Sequence, residues 1–404
     1  MMMKKLVLQF ACLVLASLSA FAVSTREIVF DNVEGIAVDQ PRVAVEVYDA
    51  NPFHSYGPEI ANFWLLDTGA QGLMAAGSAT EEMKTAGYQT VNSFQELGVG
   101  GHVEYDVSEV YQFDFAGSDG QRLTLENARL LSSDTAHFGS FGGIVGMPAM
   151  MGRITTLNIS SLVDPSLDIP FINVAFTDEP SVVVEEHRYT VPLQLFDYPV
   201  TAGQINPDDA LPTYAPLPFV GAVARHQGIS VASESMVLDT GAQISIISSS
   251  LAYDRLGLSE DDALGYIEIS GVSGSVSAPV LAVDELRLAT EEGVDIVFRG
   301  LELLVVDIHE DIDGIFGCDL LTAGYFEGAL NTMLGLPGEK GFFDAVHFSF
   351  LDGASLQGAM WLDINSAYHE IIPEPSSLFL LALFALSVSF SRSWHCPELF
   401  TRMN

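Results

Sequence analysis

Cysteine is nearly absent: Cys12, Cys318 and Cys396 are the only three in 404 residues. The first sits in an apolar N-terminal stretch and the last near the other end, so the region between them has a single thiol and no internal disulfide. Cys318 reads as a small buried apolar residue. Basic residues are also scarce, 16 Lys and Arg against 53 Asp and Glu, for a net charge of −37. That balance argues against a nucleic-acid partner and disfavours highly acidic substrates, and it suits solubility or an acidic or salty exterior. The nine His residues fall into no His-Glu-x-x-His spacing, and there is no Gly-x-Ser-x-Gly, which removes the zinc-peptidase and serine-hydrolase routes. No phosphate-cradling loop is present either. Neither a metal nor a cofactor is expected.

What is present is a repeat. Asp-Thr-Gly-Ala occurs at Asp67 to Ala70 and again at Asp239 to Ala242, each time entered from an apolar run. Asp and Gly favour turns for steric reasons, so one copy alone would read as a turn. Each copy is followed by two glycines flanking two apolar residues: Gly143-Ile144-Val145-Gly146 lies downstream of Asp67, and Gly314-Ile315-Phe316-Gly317 lies downstream of Asp239 at nearly the same offset. Between these landmarks lie Gly98-Val99-Gly100-Gly101 and Gly271-Val272-Ser273-Gly274, again at nearly equal offsets from the respective Asp. Three ordered features at matched offsets make an internal duplication.

These paired motifs resemble the aspartic peptidases, both the two-lobed pepsin-like enzymes and the retroviral ones built from two identical chains. The resemblance covers roughly residues 40 to 350. It implies that Asp67 and Asp239 are catalytic and that Thr68 and Thr240 brace their loops against each other, each loop supported by an apolar-apolar-Gly strand. It also implies that Gly98, Val99, Gly100, Gly101 and Gly271, Val272, Ser273, Gly274 are the tips of flaps closing over substrate. An apolar preference beside the scissile bond is implied in the same way.

The chemistry requires such a pair whatever the family. Two carboxylates about 3 Å apart cannot both ionise, so they share one proton and titrate in two macroscopic steps. The ionised member draws a proton from a water while the protonated member hydrogen-bonds the carbonyl that the water attacks. Glycine after Asp-Thr permits close backbone approach, so the N–H groups of Gly69 and Gly241 are expected to donate to the carboxylates. Ala70 and Ala242 stand where many pepsin-like enzymes carry a hydroxyl. Without that donor the dyad's lower apparent pKa is expected above that of a strongly acid-adapted enzyme.

Short Val-, Ile-, Phe- and Leu-rich segments broken by Gly, Asp, Asn and Pro predict an all-β fold of two pseudo-twofold-related lobes of the acid protease type, with a few short helices. Strands are expected over 41–48, 107–115, 191–195 and 281–288, and helices over 79–86, 147–154, 249–256 and 318–324. A further strand is expected to close each lobe, over 171–176 in the first half and 346–350 in the second. Residues 179–212 read as the connection, giving lobes over 23–200 and 201–370. Asp311-Ile312-Asp313-Gly314 lacks full calcium-loop spacing and reads as a turn.

Both termini read as addresses. Lys4, Lys5, an apolar stretch and Ala20-Phe21-Ala22 match a secretory signal over 1–22. No basic prosegment is expected between it and the first lobe. Pro373-Glu374-Pro375 followed by the apolar run Leu378 to Phe390 and Arg392 resembles the bacterial PEP-type sorting tail, here 371–404, which implies a membrane exosortase as partner and a tail that is removed. Before that removal the tail would hold the chain to the membrane; the alternative is a plain C-terminal membrane anchor, for which the run is short of the about 20 residues a spanning helix needs. Without Lys4, Lys5, Arg392, Arg402, Glu374 and Glu398, residues 23–372 keep 12 basic against 51 acidic groups, a net charge of −39. The expectation is an exported, monomeric, surface-associated aspartic endopeptidase acting on polypeptide. The competing expectation is a noncatalytic surface or matrix protein that holds peptide or glycan in the same cleft.

Overall fold

The computed structural model describes residues 26–49, 54–98, 101–118, 120–167, 169–177, 187–197, 209–271, 274–352 and 355–369. The expected signal over 1–22, the tail over 371–404, most of the connection with its boundary near 200, and Val99, Gly100, Val272 and Ser273 lie outside them.

Among the described residues the fold is all-β, with two large sheets of 10 and 13 strands and a few short helices. The alternation seen in the sequence is the alternation of burial: in the strand Arg42–Tyr48, Val43, Val45 and Val47 point inward while their neighbours face out. Cross-strand packing of such β-branched residues on one face stabilises the sheet.

The two sheets run through seven strands in the same order. In the first lobe that order is Thr90–Gly98, Gly101–Ser108, Leu131–Ser132, Leu73–Ala75, Gly143–Val145, Phe63–Leu66 and Arg42–Tyr48. In the second it is Gly265–Gly271, Gly274–Ala289, Val294–Val305, Ile246–Ile247, Gly314–Gly317, Ile229–Asp239 and Leu217–His226. In both, the apolar-apolar-Gly strand pairs in parallel with the strand that delivers the Asp, Ile144 opposite Leu65 and Ile315 opposite Val237. The duplication inferred from three motifs is thus a duplication of whole-sheet topology.

A central sheet joins the halves. Ile154–Asn158 pairs with Asn173–Thr177 on one side and with Phe343–Ser349 on the other, and Phe343–Ser349 pairs in turn with Gln357–Ile364. This revises one correspondence: the counterpart of the strand at 346–350 is Ile154–Asn158, which meets it across the join, and not the segment 171–176. The strand expected over 191–195 is present and runs longer, as the nine-residue Arg188–Phe196, paired with Gln357–Ile364 and with Leu217–His226.

The segment 107–115 is two strands, ending at Ser108 and restarting at Tyr111. Helices occupy Gly77–Thr85, which starts two residues before the expected region, and Cys318–Leu321, with a short 3-10 turn at Met147–Ala149 and a π-helical turn at Ser250–Arg255 inside theirs. The helix Phe326–Met333 was not expected.

Candidate active site

Each Asp-Thr-Gly loop begins where a buried strand ends. Trp64 and Leu66 are fully buried, which anchors the strand Phe63–Leu66, and the Asp67 N–H donates to the Val145 carbonyl at 2.9 Å. The loops continue in parallel: the Met147 N–H donates to the Ala70 carbonyl at 2.9 Å, and the Cys318 N–H to the Ala242 carbonyl at 2.8 Å. The apolar-apolar-Gly glycines are sterically required. A Cβ on Gly146 would fall 2.3 Å from the Ala70 and Gly72 carbonyl oxygens, and one on Gly314 would fall 2.3 Å from that of Ile246.

The two threonines lock the loops together across the lobes. The Thr68 N–H donates to Thr240 Oγ1 and the Thr240 N–H to Thr68 Oγ1, both at 3.1 Å. Thr68 Oγ1 donates to the Leu238 carbonyl and Thr240 Oγ1 to that of Leu66, both at 2.7 Å. Both side chains are wholly buried, so every one of these bonds is made away from water, where an unmade partner is costly.

This bracket brings Asp67 and Asp239 together, and their carboxyls hydrogen-bond each other. The tightness of the fit shows in the glycines that follow. A Cβ on Gly69 would lie 2.4 Å from the Asp239 carboxyl carbon, and one on Gly241 would lie 2.5 Å from that of Asp67. Each carboxyl therefore rests in the space left by the other loop's missing side chain.

The backbone donors are in place, with Gly69 N–H to Asp67 Oδ1 at 2.7 Å and Gly241 N–H to Asp239 Oδ1 at 2.8 Å. The Ala242 N–H adds a further bond to Asp239 Oδ1 at 3.0 Å.

Burial pushes both carboxyls above the usual carboxylate range. For Asp67 the charge of Asp239 and the bond to it push further in the same direction, against the N–H groups of Gly69 and Gly241. For Asp239 the bond from Asp67 and the N–H groups of Gly241 and Ala242 act downward. Both shifts favour a pair that keeps one proton between its two carboxyls.

Two supporting groups were not anticipated. The buried Gln40 side-chain amide donates to the Gly241 carbonyl. Asp319, also buried, accepts from the Ser245 N–H at 3.0 Å and from Ser245 Oγ at 2.7 Å, while Ser245 Oγ accepts from the Gly317 N–H at 2.9 Å. Burial holds the Asp319 carboxyl at about 6, against the pull of these bonds. The brace belongs to the second lobe alone, since Leu73 and Pro148 occupy the matching positions of the first. Its only signal in the sequence is an acid placed just beyond an apolar-apolar-Gly strand.

The glycine-tipped segments are hairpins, closed by the pairs Gly98 with Gly101 and Gly271 with Gly274. Gly274 sits at φ +144°, a conformation that other residues rarely adopt. In the second lobe, Asp313 of the expected turn is held by Arg255 at 2.7 Å.

A family model described as aspartyl protease matches residues 224–320, which include Asp239, the second hairpin and Gly314 to Gly317. A comparison with curated proteins finds no match. Among solved structures, the crystal structure of basic 7S globulin from soybean is similar at 9% identity over 79% of this chain and 94% of that one, with a TM-score of 0.35. The match over 224–320 supports a protease-type function for the chain.

Proposed function

We propose that this chain is an exported aspartic endopeptidase in which Asp67 and Asp239 hydrolyse peptide bonds through a water, with no covalent intermediate. The observation that carries the reading is the reciprocal fit of each carboxyl against the glycine of the opposite loop, held by the threonine bracket. Such an arrangement has no advantage for a merely structural turn, because it buries two acids against each other at an electrostatic cost.

In this reading the ionised member of the pair takes a proton from water as the water oxygen bonds to the substrate carbonyl carbon, and the protonated member gives its proton to the carbonyl oxygen. Collapse of the tetrahedral intermediate breaks the C–N bond. The proton gained from water passes to the departing nitrogen while the member that gave up its proton takes one back from a hydroxyl of the collapsing intermediate, so the dyad returns to one shared proton. An extended polypeptide lies between the lobes under the two hairpins, Gly98 to Gly101 and Gly271 to Gly274, pairing by its main chain. The lobes are assigned to 23–200 and 201–370. The segments 1–22 and 371–404 serve export and sorting, with an exosortase-type enzyme acting on the tail.

Cleavage of an unfolded protein substrate by wild type and Asp67→Asn tests this. The variant should lose roughly 10³-fold or more in rate with an unchanged circular dichroism spectrum, and a statine-type compound should inhibit the wild type. Equal cleavage by the variant contradicts it.

A further inference from the structure

The helix Phe326–Met333 turns an apolar stripe to solvent. Phe326, Leu330, Met333 and Leu334 recur at the spacing that places residues on one face of a helix, and Leu336 follows in the next turn. All five are exposed, Met333 by 65% and Leu334 by 66%. The opposite face is occupied. Gly328 and Ala329 are buried there, and a Cβ on Gly328 would fall 2.0 Å from the Glu339 carbonyl oxygen and 3.0 Å from the Val163 side chain. Glycine therefore lets that face close on its neighbours, while no described residue covers the stripe.

Charge gives the stripe no reason to face water, because Gly328 to Gly338 hold no charged residue on a body that is otherwise strongly acidic. An exposed apolar patch of this kind marks a contact surface.

The described chain ends beside it. Tyr368 packs edge-on against Phe342 with ring centroids 5.0 Å apart, and the Asn365 N–H donates to the Phe342 carbonyl at 2.9 Å. The Phe342 N–H donates in turn to the Ala323 carbonyl at 3.1 Å, and a Cβ on Gly341 would fall 2.2 Å from the Tyr325 ring. Tyr325 directly precedes the helix. Eight residues, 370–377, separate this exit from the uncharged run Leu378 to Phe390, which lies outside the described residues. Fully extended they span no more than about 28 Å, and so short a tether keeps the run at a roughly millimolar effective concentration beside the stripe. A separate chain in dilute solution has no such advantage.

We propose that the run Leu378 to Phe390 docks on the stripe of Phe326, Leu330, Met333, Leu334 and Leu336, so that the body shields its own apolar tail from water. A tail held there is withheld from a bilayer, and the stripe sets the balance between soluble and membrane-bound forms of the chain. The inference does not rest on the peptidase reading, and either can fail without the other.

The test uses the full-length chain with its tail retained and with Cys12→Ser and Cys396→Ser, so that Leu334→Cys and Ala382→Cys form the reactive pair; Cys318 is buried. Without lipid, a bis-maleimide should join the pair within one chain at a rate independent of protein concentration. Leu330→Gln with Met333→Gln, at exposed positions where the fold tolerates polar side chains, should slow that reaction several-fold. Leu380→Gln with Leu383→Gln should do the same with the body unaltered. Flotation with phosphatidylcholine vesicles then gives the sign: Leu330→Gln with Met333→Gln frees the tail, so vesicle binding should become several-fold tighter than with the stripe intact. Weaker vesicle binding by that variant would make the stripe a lipid-facing surface, and cross-links that form only between chains would make it a contact between copies. Either result overturns the assignment, as does a cross-linking rate or a vesicle affinity that the stripe substitutions leave unchanged.

Discussion

Replacing Gly69 by alanine is a sharp probe of the dyad because it touches neither acid. The added Cβ would sit 2.4 Å from the Asp239 carboxyl carbon and 2.6 and 2.8 Å from its oxygens, where ordinary contact begins at 3.4 Å. The neighbour that must give way is the carboxyl proposed as catalytic, which has to move by about 1 Å, and a displacement of that size at a reacting centre costs roughly 100-fold in rate. Overpacking of this kind costs about 1–3 kcal/mol in stability, so the protein should stay folded. The assay is steady-state cleavage of a fluorogenic peptide by Gly69→Ala, with Gly241→Ala as the pseudo-symmetric partner and Gly35→Ala as control. A Cβ on Gly35 meets nothing closer than 3.4 Å. The expected result is a fall in kcat of about 100-fold for both loop variants with unfolding transitions still cooperative, and none for the control. Activity within a few-fold of wild type in Gly69→Ala would refute the reasoning, since the carboxyl would then tolerate a shift that the mechanism forbids.

Other expectations concern the supports. Thr68→Ala orphans the Thr240 N–H and the Leu238 carbonyl at about 1–3 kcal/mol each, whereas Thr68→Ser keeps both bonds and loses about 1 kcal/mol with its methyl; urea unfolding should rank them in that order. Asp319 binds its proton more tightly in the folded state, at about 6 against an ordinary 3.8. Its contribution to stability is therefore complete below that ordinary value and is lost as pH rises to about 6. Unfolding of wild type and Asp319→Asn across that range should show the difference between them moving toward the variant by about 3 kcal/mol as pH rises, and a constant difference would contradict the assignment.

The features most legible in the sequence were those that the chemistry fixes. Asp-Thr-Gly, the hairpin glycines and the apolar-apolar-Gly strands recur at matched offsets because each occupies a place where close backbone approach or a tight turn admits few residues, and Gly69, Gly146 and Gly314 show how little room remains. Structure that depends on distant partners was harder to read. The strand expected over 191–195 extends to Arg188–Phe196 because Gln357–Ile364, from the far end of the second lobe, supplies a ladder along its whole length. The strand at 346–350 was matched to the wrong partner for the same reason, since sequence order does not reveal which strands meet at the join. The helix Phe326–Met333 exposes Phe326, Leu330 and Met333, which blurs the polar outer face that amphipathic periodicity relies on. The Ser245–Asp319 brace left no spacing pattern because only one lobe has it.

The central claim is that two acids from opposite lobes share one proton, and carboxyl carbon-13 NMR of aspartate-labelled protein reports it most directly. Titration should show Asp67 and Asp239 moving together in two steps, with one carboxyl keeping its proton well above the ordinary aspartate value of 3.8, and Asp239→Asn should collapse the pair to a single step. Two independent titrations near 3.8, each unchanged by replacing the other residue, would contradict the account.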